Sequence, residues 1–226
     1  MTTRGRRGPY AKSAAKRQLI LDAALAAYAE AGTRGVSVKD IAERAGLTDA
    51  GVLHHFGSRE ALLTAVLEAR DIAAAERYGS DREALWNPEM LTDNAATPGL
   101  VKLFVDLAAA AAEPEHPAHE FFTERYRILR QRLSDAITAE TSASEAMTSD
   151  ASTAGRAATE PAPAGPDDRA DWAARILLAA TDGLQLQWLL DPSIDMAADL
   201  ARLRDALLPV LGGPTAPGEG GPPAQP

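Results

Sequence analysis

The sequence has no cysteine, few aromatic residues and no long apolar run. Without cysteine, a disulfide framework, a thiolate zinc site and a cysteine nucleophile are all excluded. Aromatic residues make up only 5% of the chain while alanine abounds, which favours packed helices over a sheet of β-branched and aromatic side chains. A membrane span needs about 18 successive apolar residues, so we expect no membrane partner and a cytoplasmic location.

Charge is distributed unevenly along the 226 residues, whose formal net charge is -9. Residues 1–70 contain 11 lysines and arginines against 7 acidic residues, and residues 71–226 contain 12 against 25. A basic first part followed by an acidic remainder fits DNA binding that is confined to one end of the chain.

The first 13 residues combine glycine, proline and basic side chains, and we expect them to form a disordered arm. Two interpretations of Arg4, Arg6 and Arg7 stay open: contact with a minor groove, or a solvated leader of generic charge. A long helix is predicted over residues 14–31, because apolar residues recur there at the spacing of one helix face.

Two short helices joined by a tight turn are predicted next. Ser37 is placed to cap the first helix and Thr48 the second, which is expected to end near residue 55. Ala42 is small enough for the helices to approach closely, and Gly46 suits a turn that needs positive φ. The apolar residues of the buried face are Ile41, Ala45, Leu47 and Val52, and Phe56 is placed to hold the second helix on the long first helix. Such a pair can lay its second helix in a DNA major groove.

The stretch VSVKDIAERAGLTDAGVLHHFGSREALL resembles the DNA-binding domain of TetR-type regulators, and ILDAALAAYAEAG before it resembles their first helix. The match covers residues 14–70, and a weaker one lies at TDGLQLQWLLDP. Leu53 stands where that family usually has tyrosine, which removes a hydroxyl contact and allows an apolar contact with a thymine methyl. Arg59 stands where lysine is usual, which keeps a charge that can pair with phosphate.

The predicted DNA contacts fall into two groups. Phosphate contacts that set the register are assigned to Ser37, Lys39, Thr48, His54 and Arg59. Groove-facing positions are assigned to Asp49, Ala50, Gly51 and Leu53. For Asp49 two roles stay open, acceptance from cytosine N4 and stabilisation of the helix N-terminus.

The resemblance implies an all-α architecture, in which a three-helix, homeodomain-like DNA-binding domain (residues 14–58) precedes a helical domain (residues 59–211) for effector binding and dimerisation. Within the second domain we expect helices over 98–112, 117–139, 168–190 and 194–211, a loop with a short helix over 79–97, and a disordered linker over 141–167. The Gly/Pro-rich tail, 212–226, is also expected to be disordered.

Two surfaces are predicted in the second domain. The last two helices are expected to form a four-helix interface with a second copy through Ile176, Ala180, Gly183, Leu184, Gln187, Trp188, Leu200, Leu203 and Leu207. A small-molecule pocket is implied by the resemblance, with Trp86, Met90, Phe104, Phe121, Phe122, Tyr126 and Trp172 as candidate lining, although each of these fits plain core as well. The acidic composition favours a neutral or cationic effector.

The sequence therefore predicts a homodimeric repressor that binds a palindromic DNA operator and is released from it by an unidentified small molecule. An alternative keeps the DNA binding but gives the second domain only dimerisation or a protein partner. A helical enzyme is the weaker alternative, because phosphate-binding Gly loops, G-x-S-x-G and H-E-x-x-H are all absent. We predict no cofactor and no metal, and we interpret His116 and His119 with their neighbouring glutamates as a solvated turn.

Overall fold

The computed structural model describes residues 9–79, 87–149 and 166–211. In these ranges the chain forms helices and no strand, as the sequence predicts. The helices are α1 (Pro9–Glu30), α2 (Val38–Ala45), α3 (Asp49–Phe56), α4 (Arg59–Tyr78), α5 (Pro88–Ala96), α6 (Pro98–Ala110), α7 (His119–Ser149), α8 (Pro166–Leu190) and α9 (Met196–Leu211). We call α1–α3 the head and α4–α9 the body. None of the described helices is both long and apolar enough to cross a membrane.

Two segments that we expected to be disordered are partly helical. Helix α1 begins at Pro9, so residues 9–13 extend the helix instead of the arm. A proline suits the first helical position, and no glycine or proline follows it before Gly32. Helix α7 continues through residues 141–149 for the same reason, since it meets no helix breaker. Residues 166 and 167 belong to α8, whereas 150–165, the arm 1–8 and the tail 212–226 lie outside the described residues.

The largest apolar core joins the head to the body. It includes Ile20 from α1, Ile41 from α2, Val52 from α3, Val66 from α4 and Phe104 from α6, each at most 1% exposed. Two smaller clusters lie in the body: one packs Leu133 and Ile137 of α7 on α8, and the other contains Val101, Trp188 and Met196. The head therefore packs on the body through one continuous core, to which α4 also contributes.

A glycine defines the closest approach between head and body. At Gly99, in the first turn of α6, a Cβ atom would lie 2.5 Å from the backbone oxygen of Tyr28 and 2.7 Å from that of Gly32. Any larger residue would meet backbone atoms there, so the N-terminus of α6 is seated directly on the C-terminal carbonyls of α1. The two helix dipoles meet with opposite signs at this junction.

Candidate nucleic-acid interface and body site

Helix α2 is fixed at its N-terminus by a reciprocal pair of hydrogen bonds. The Ser37 hydroxyl accepts from the Asp40 backbone N–H at 3.1 Å, and the Asp40 carboxylate accepts from the Ser37 backbone N–H at 2.8 Å. The Ser37 hydroxyl also donates to that carboxylate at 2.7 Å. These hydrogen bonds hold the pKa of Asp40 below its usual range. The Ser37 hydroxyl proton, which we expected to be available to a phosphate, is thus already engaged.

The turn between α2 and α3 is closed by Gly46 in the left-handed conformation, with φ 65° and ψ 38°. The Gly46 N–H donates to the Glu43 carbonyl at 3.2 Å, and the Leu47 N–H donates to the Ala42 carbonyl at 2.9 Å. This pair of hydrogen bonds ends α2 and satisfies carbonyls of its last turn. Ala42 is 1% exposed, as expected for the position where the two helices approach each other.

Helix α3 presents most of its predicted contact residues to solvent. Thr48 caps it by accepting from the Gly51 N–H at 3.1 Å. Among the predicted DNA contacts within this helix, Asp49, Ala50 and His54 are exposed. Gly51 and Leu53 are half-buried. Val52, the residue between them, is fully buried and holds the helix on the core. The exposed first half of α3 is therefore free to enter a groove.

Arg17 in α1 fixes the other end of α3, and sequence reasoning missed it. Its Nη1 donates to the backbone oxygen of His55 at 2.5 Å, and its guanidinium lies 4.1 Å from the centre of the Phe56 ring. A cation on the last carbonyls complements the negative end of the helix dipole. Arg17 lies 38 residues from His55 in the sequence, so no spacing or motif connects the two.

Two of the predicted phosphate-contacting cations differ in their surroundings. Lys39 is exposed and pairs loosely with Glu43, its Nζ lying 3.7 Å from the carboxylate. Arg59, in the first turn of α4, is exposed and forms no ion pair within the described ranges. Surface pairs of the first kind contribute little and exchange easily, so both side chains can be redirected toward an anion.

In the body, four of the predicted pocket residues form one aromatic group. The ring of Phe122 lies 5.3 Å from that of Phe104, 5.2 Å from that of Phe121 and 6.1 Å from that of Tyr126, measured between centroids. Met90 lies half-buried on α5, and Trp86 lies outside the described residues. Phe104 and Phe122 belong to the main core. Trp172 is 42% exposed on α8 and forms no ring contact with this group in the described part of the chain, so its place in a pocket stays a prediction.

Helix α8 carries an exposed apolar stripe. Its members recur at alternating intervals of four and three, and they are Trp172, Ile176, Ala179, Gly183, Leu186 and Leu190. Ile176 is 37% exposed, Leu186 is 48% exposed and Leu190 is 81% exposed. The predicted interface residues Ile176 and Gly183 lie on this stripe.

The opposite side of α8 packs within the chain, which corrects part of the predicted interface. Trp188 is 8% exposed and contacts the cluster of Val101 and Met196, with Leu184 packed against it. The burial of Trp188 does not fit its predicted role as an interface anchor, whereas Leu184 is only half-buried. Leu203 and Leu207 of α9 pack on the cluster between α7 and α8. Of the other predicted positions, Gln187 is exposed, and Ala180 and Leu200 are half-buried.

His116, which precedes α7, and His119, its first residue, form hydrogen bonds with the local backbone. His116 Nδ1 accepts from the Ala118 N–H at 3.1 Å, and His119 Nδ1 lies 2.9 Å from the Ala111 carbonyl oxygen. These contacts describe a hydrogen-bonded turn between α6 and α7.

Comparison with known proteins gives a family match at the head. Residues 20–66 match the family model described as bacterial regulatory proteins, tetR family. Over 52 residues the chain is 38% identical to the HTH-type transcriptional repressor KstR2 of Rhodococcus jostii (strain RHA1). That alignment covers 23% of this chain and 26% of the repressor, so it spans only about a quarter of the relative's length.

Solved structures resemble the chain over most of its length. A transcriptional regulator from Rhodococcus sp. RHA1 aligns with a TM-score of 0.56 and 21% identity, covering 86% of this chain and 95% of that chain. The regulator FadR from Bacillus subtilis, in complex with stearoyl-CoA, aligns with a TM-score of 0.50 and 18% identity, covering 84% and 97%. At these identities the likeness establishes the fold of head and body together. Residues 20–66, which include the capped helix pair, thus match the tetR family model of bacterial regulatory proteins, and the chain as a whole shares the fold of these structures.

Proposed function

We propose that this protein is a homodimeric transcriptional repressor that binds a specific DNA operator through α3 and is released by a small molecule. The observation that carries the proposal is the exposed first half of α3, mounted on a buried Val52 and fixed at both ends by Thr48 and Arg17. A helix held this rigidly can insert its N-terminal residues into a major groove without further ordering.

The DNA contacts divide by the chemistry that each exposed side chain offers. Lys39, Thr48, His54 and Arg59 contact phosphates and set the register. Asp49, Ala50, Gly51 and Leu53 face the bases, with few donors among them, so shape and apolar contact contribute more than hydrogen bonds. We now assign Ser37 to capping, since its hydroxyl reaches a phosphate only by giving up Asp40.

A second copy of the chain is the occupant that we propose for the apolar stripe of α8. Its spacing of four and three is that of a helix seam that packs on another helix, and a two-fold axis brings the same stripe against itself. Monomeric proteins rarely leave a row of large apolar side chains uncovered. Two heads joined in this way read two half-sites of a palindrome.

Repression and release are supported by relatives. KstR2, which matches the head, is named a transcriptional repressor, and the FadR structure that matches the fold contains stearoyl-CoA. The aromatic group of Phe104, Phe121, Phe122 and Tyr126 is the proposed effector region.

Selection of genomic DNA fragments by the purified full-length protein tests the DNA-binding function. We expect one palindromic sequence to be enriched at physiological salt, and Arg59→Gln to weaken binding to every fragment while reducing the salt slope by about one. Leu53→Ala is expected to change the preference among fragments instead. Arg132→Gln, an exposed arginine of the body, is the matched control. Binding no stronger than to random DNA would remove the proposal.

The dimer is tested by sedimentation of two matched variants. Leu186→Arg places a charge in the stripe and is expected to give a monomer that remains folded, because Leu186 is already 48% exposed. Ile72→Arg makes the same change at a 54% exposed position of α4 and is expected to leave a dimer. A dimer that survives Leu186→Arg would show that another surface joins the copies.

A further inference from the structure

Two arginines share one carboxylate inside the body. Arg70 Nη2 lies 3.0 Å from Asp71 Oδ1, and Arg125 Nε lies 2.7 Å from Asp71 Oδ2. The three side chains are only 16%, 20% and 30% exposed for Arg70, Arg125 and Asp71 respectively. Both guanidiniums lie over the ring of Phe104, 5.4 Å and 4.9 Å from its centre. This arginine cluster therefore carries one positive charge more than its own carboxylate balances.

The next acidic group does not balance that charge by direct pairing. Asp182 on α8 accepts a hydrogen bond from the Tyr126 hydroxyl at 2.5 Å and forms no ion pair with Arg125 in the described part of the chain. Burial raises the pKa of Asp182, against the opposing effects of Tyr126 and Arg125. In the same ranges, the terminal nitrogens of Arg125 donate no hydrogen bond. They remain available for a bidentate anion.

An unpaired acceptor lies one turn further along α8. Gln185 is 9% exposed, and its Oε1 is the buried side-chain atom without a hydrogen-bond partner among the described residues. Gln185 lies three residues after Asp182, a spacing that makes the two side chains neighbours on the surface of α8. Native proteins seldom leave such a group unsatisfied, which points to a donor that arrives with a ligand.

A groove leads to the Tyr126–Asp182 pair from outside. It has a volume of about 460 Å³, lies between α7 and α8, and is bordered by both residues of the pair and by three arginines. Arg127 pairs with Glu124, while Arg130 and Arg175 share Asp171 at 3.1 Å and 3.7 Å. The three arginines thus exceed their two ion-paired carboxylates by one, and Asp182, the other carboxylate of the groove, is hydrogen-bonded to Tyr126 and has a raised pKa. The arginine side of the groove therefore attracts anions despite the acidic composition of the body.

We propose that the effector is an organic acid with an apolar body, which enters by this groove. Its carboxylate binds the free side of Arg125, its apolar part contacts the aromatic group around Phe122, and a hydroxyl or N–H meets Gln185 Oε1. The Tyr126–Asp182 hydrogen bond separates the groove from the arginine cluster and breaks when the acid enters. This inference rests on the proposed effector response, and it reverses the preference for a neutral or cationic effector that composition suggested.

Matched probes on the full-length protein test the charge of the ligand. Aromatic and alkyl carboxylic acids, among them 3-phenylpropionate and decanoate, are compared with their primary amides and the corresponding amines, and phenyl phosphate and inorganic phosphate are added. We expect carboxylic acids to raise the Tm and to bind in calorimetry, and the amides and amines of equal size to do neither. Binding by amines or amides as strong as by acids, or no acid that binds, would overturn the inference. Phosphates that bind while carboxylates do not would overturn the carboxylate assignment.

Variants locate the site. Arg125→Gln is expected to weaken binding of the best acid about ten- to a hundredfold, because a charge-assisted hydrogen-bond pair is lost. Arg125→Lys keeps the charge and is expected to retain part of the affinity. Gln185→Leu is expected to weaken only acids that carry a hydroxyl or N–H. Arg132→Gln, at an exposed position of the same helix, is expected to change nothing.

The same preparations separate this inference from the DNA-binding proposal. Arg125→Gln without probe is expected to bind selected DNA fragments as the parent does, since Arg125 lies in the body. Equal acid affinity in Arg125→Gln and the parent would place the acid elsewhere and overturn the site. If Arg125→Gln does not fold, the acid–amide comparison on the parent protein and Arg125→Lys decide the question. DNA binding that persists while every acid fails would refute the inference alone.

Discussion

The head and the body place their carboxylates in different surroundings. In the head, Asp40 and Glu30 lie at the surface, where each forms hydrogen bonds with a partner on the same or the adjacent helix. In the body, Asp71 and Asp182 are partly buried between helices and contact residues more than fifty positions away. Surface groups can be exchanged for DNA phosphates at little cost, whereas buried groups resist change unless a ligand compensates them. The difference fits the two proposed roles, a head surface that binds DNA and a body interior that binds a small molecule.

The largest expected effect concerns the carboxylate shared by two arginines. Asp71→Asn leaves both guanidiniums without a counter-charge and is expected to lower the free energy of unfolding by roughly 2–4 kcal/mol, somewhat less than for a fully buried pair. Denaturant unfolding of the two proteins measures it. Glu30→Gln breaks an exposed pair with Arg44 in the head and is expected to have no measurable effect. Equal losses in the two variants would contradict the contrast between head and body.

A somewhat smaller effect is expected at the junction. Gly99→Ala drives a methyl group toward the carbonyls of Tyr28 and Gly32 and is expected to cost about 1–3 kcal/mol of stability through overpacking. Gly35→Ala is the control, because nothing lies within 4 Å of its Cβ position. Thermal unfolding of both variants checks this. A Gly99→Ala protein as stable as Gly35→Ala would show that α6 and α1 separate easily.

The contacts of Arg17 with α3 predict that a substitution at Arg17 changes DNA binding more than it changes stability. Arg17→Gln loses the cation over Phe56 and is expected to lower stability by only about 0.5–1 kcal/mol. Because α3 then loses its fixed angle on α1, selected DNA is expected to bind several-fold more weakly, with the salt slope unchanged. Arg17→Lys keeps the charge without the planar stack and is expected to fall between. A reduced salt slope in Arg17→Gln would instead indicate a direct phosphate contact.

The smallest expected effect is a pH dependence in the body. Burial raises the pKa of Asp182, with Tyr126 and Arg125 opposing it, so the folded state holds this proton more tightly than the unfolded chain. Ionisation of Asp182 therefore lowers the free energy of unfolding as the pH rises through its folded pKa. Asp182→Asn is expected to gain stability relative to the parent protein as the pH rises from the ordinary aspartate pKa, about 4, toward neutrality. Urea unfolding across that range is the measurement, and a constant difference between the proteins would contradict the assignment.

The head was predictable because its signals are local. Ser37 and Asp40 lie three residues apart, Gly46 ends α2 where the pattern placed it, and Thr48 caps α3. The error at the arm arose from composition, since the basic residues suggested disorder while Pro9 supplies a good helix start. Short-range hydrogen bonds decide the structure here, and a sequence shows them directly.

The body was less predictable because its contacts are distant and its helices are apolar on several sides. Helix α8 has leucines on several sides. Periodicity therefore did not distinguish the side that contains the buried Trp188 from the exposed stripe that contains Trp172. Asp71 and Arg125 are 54 residues apart and belong to no motif. The charges meet only in the folded chain, where both guanidiniums lie over Phe104 of α6.

The close contact of α6 with the end of α1 also limits how freely parts of such proteins can be exchanged. A chimera that joins this head to a foreign body keeps the junction only if the incoming helix has a glycine at the position of Gly99, since its Cβ space is filled by the carbonyls of Tyr28 and Gly32. Matching only the exposed residues that we propose to contact DNA would give a protein whose two halves do not fit. The modular unit for building new switches from this chain is therefore the head together with the first turn of α6.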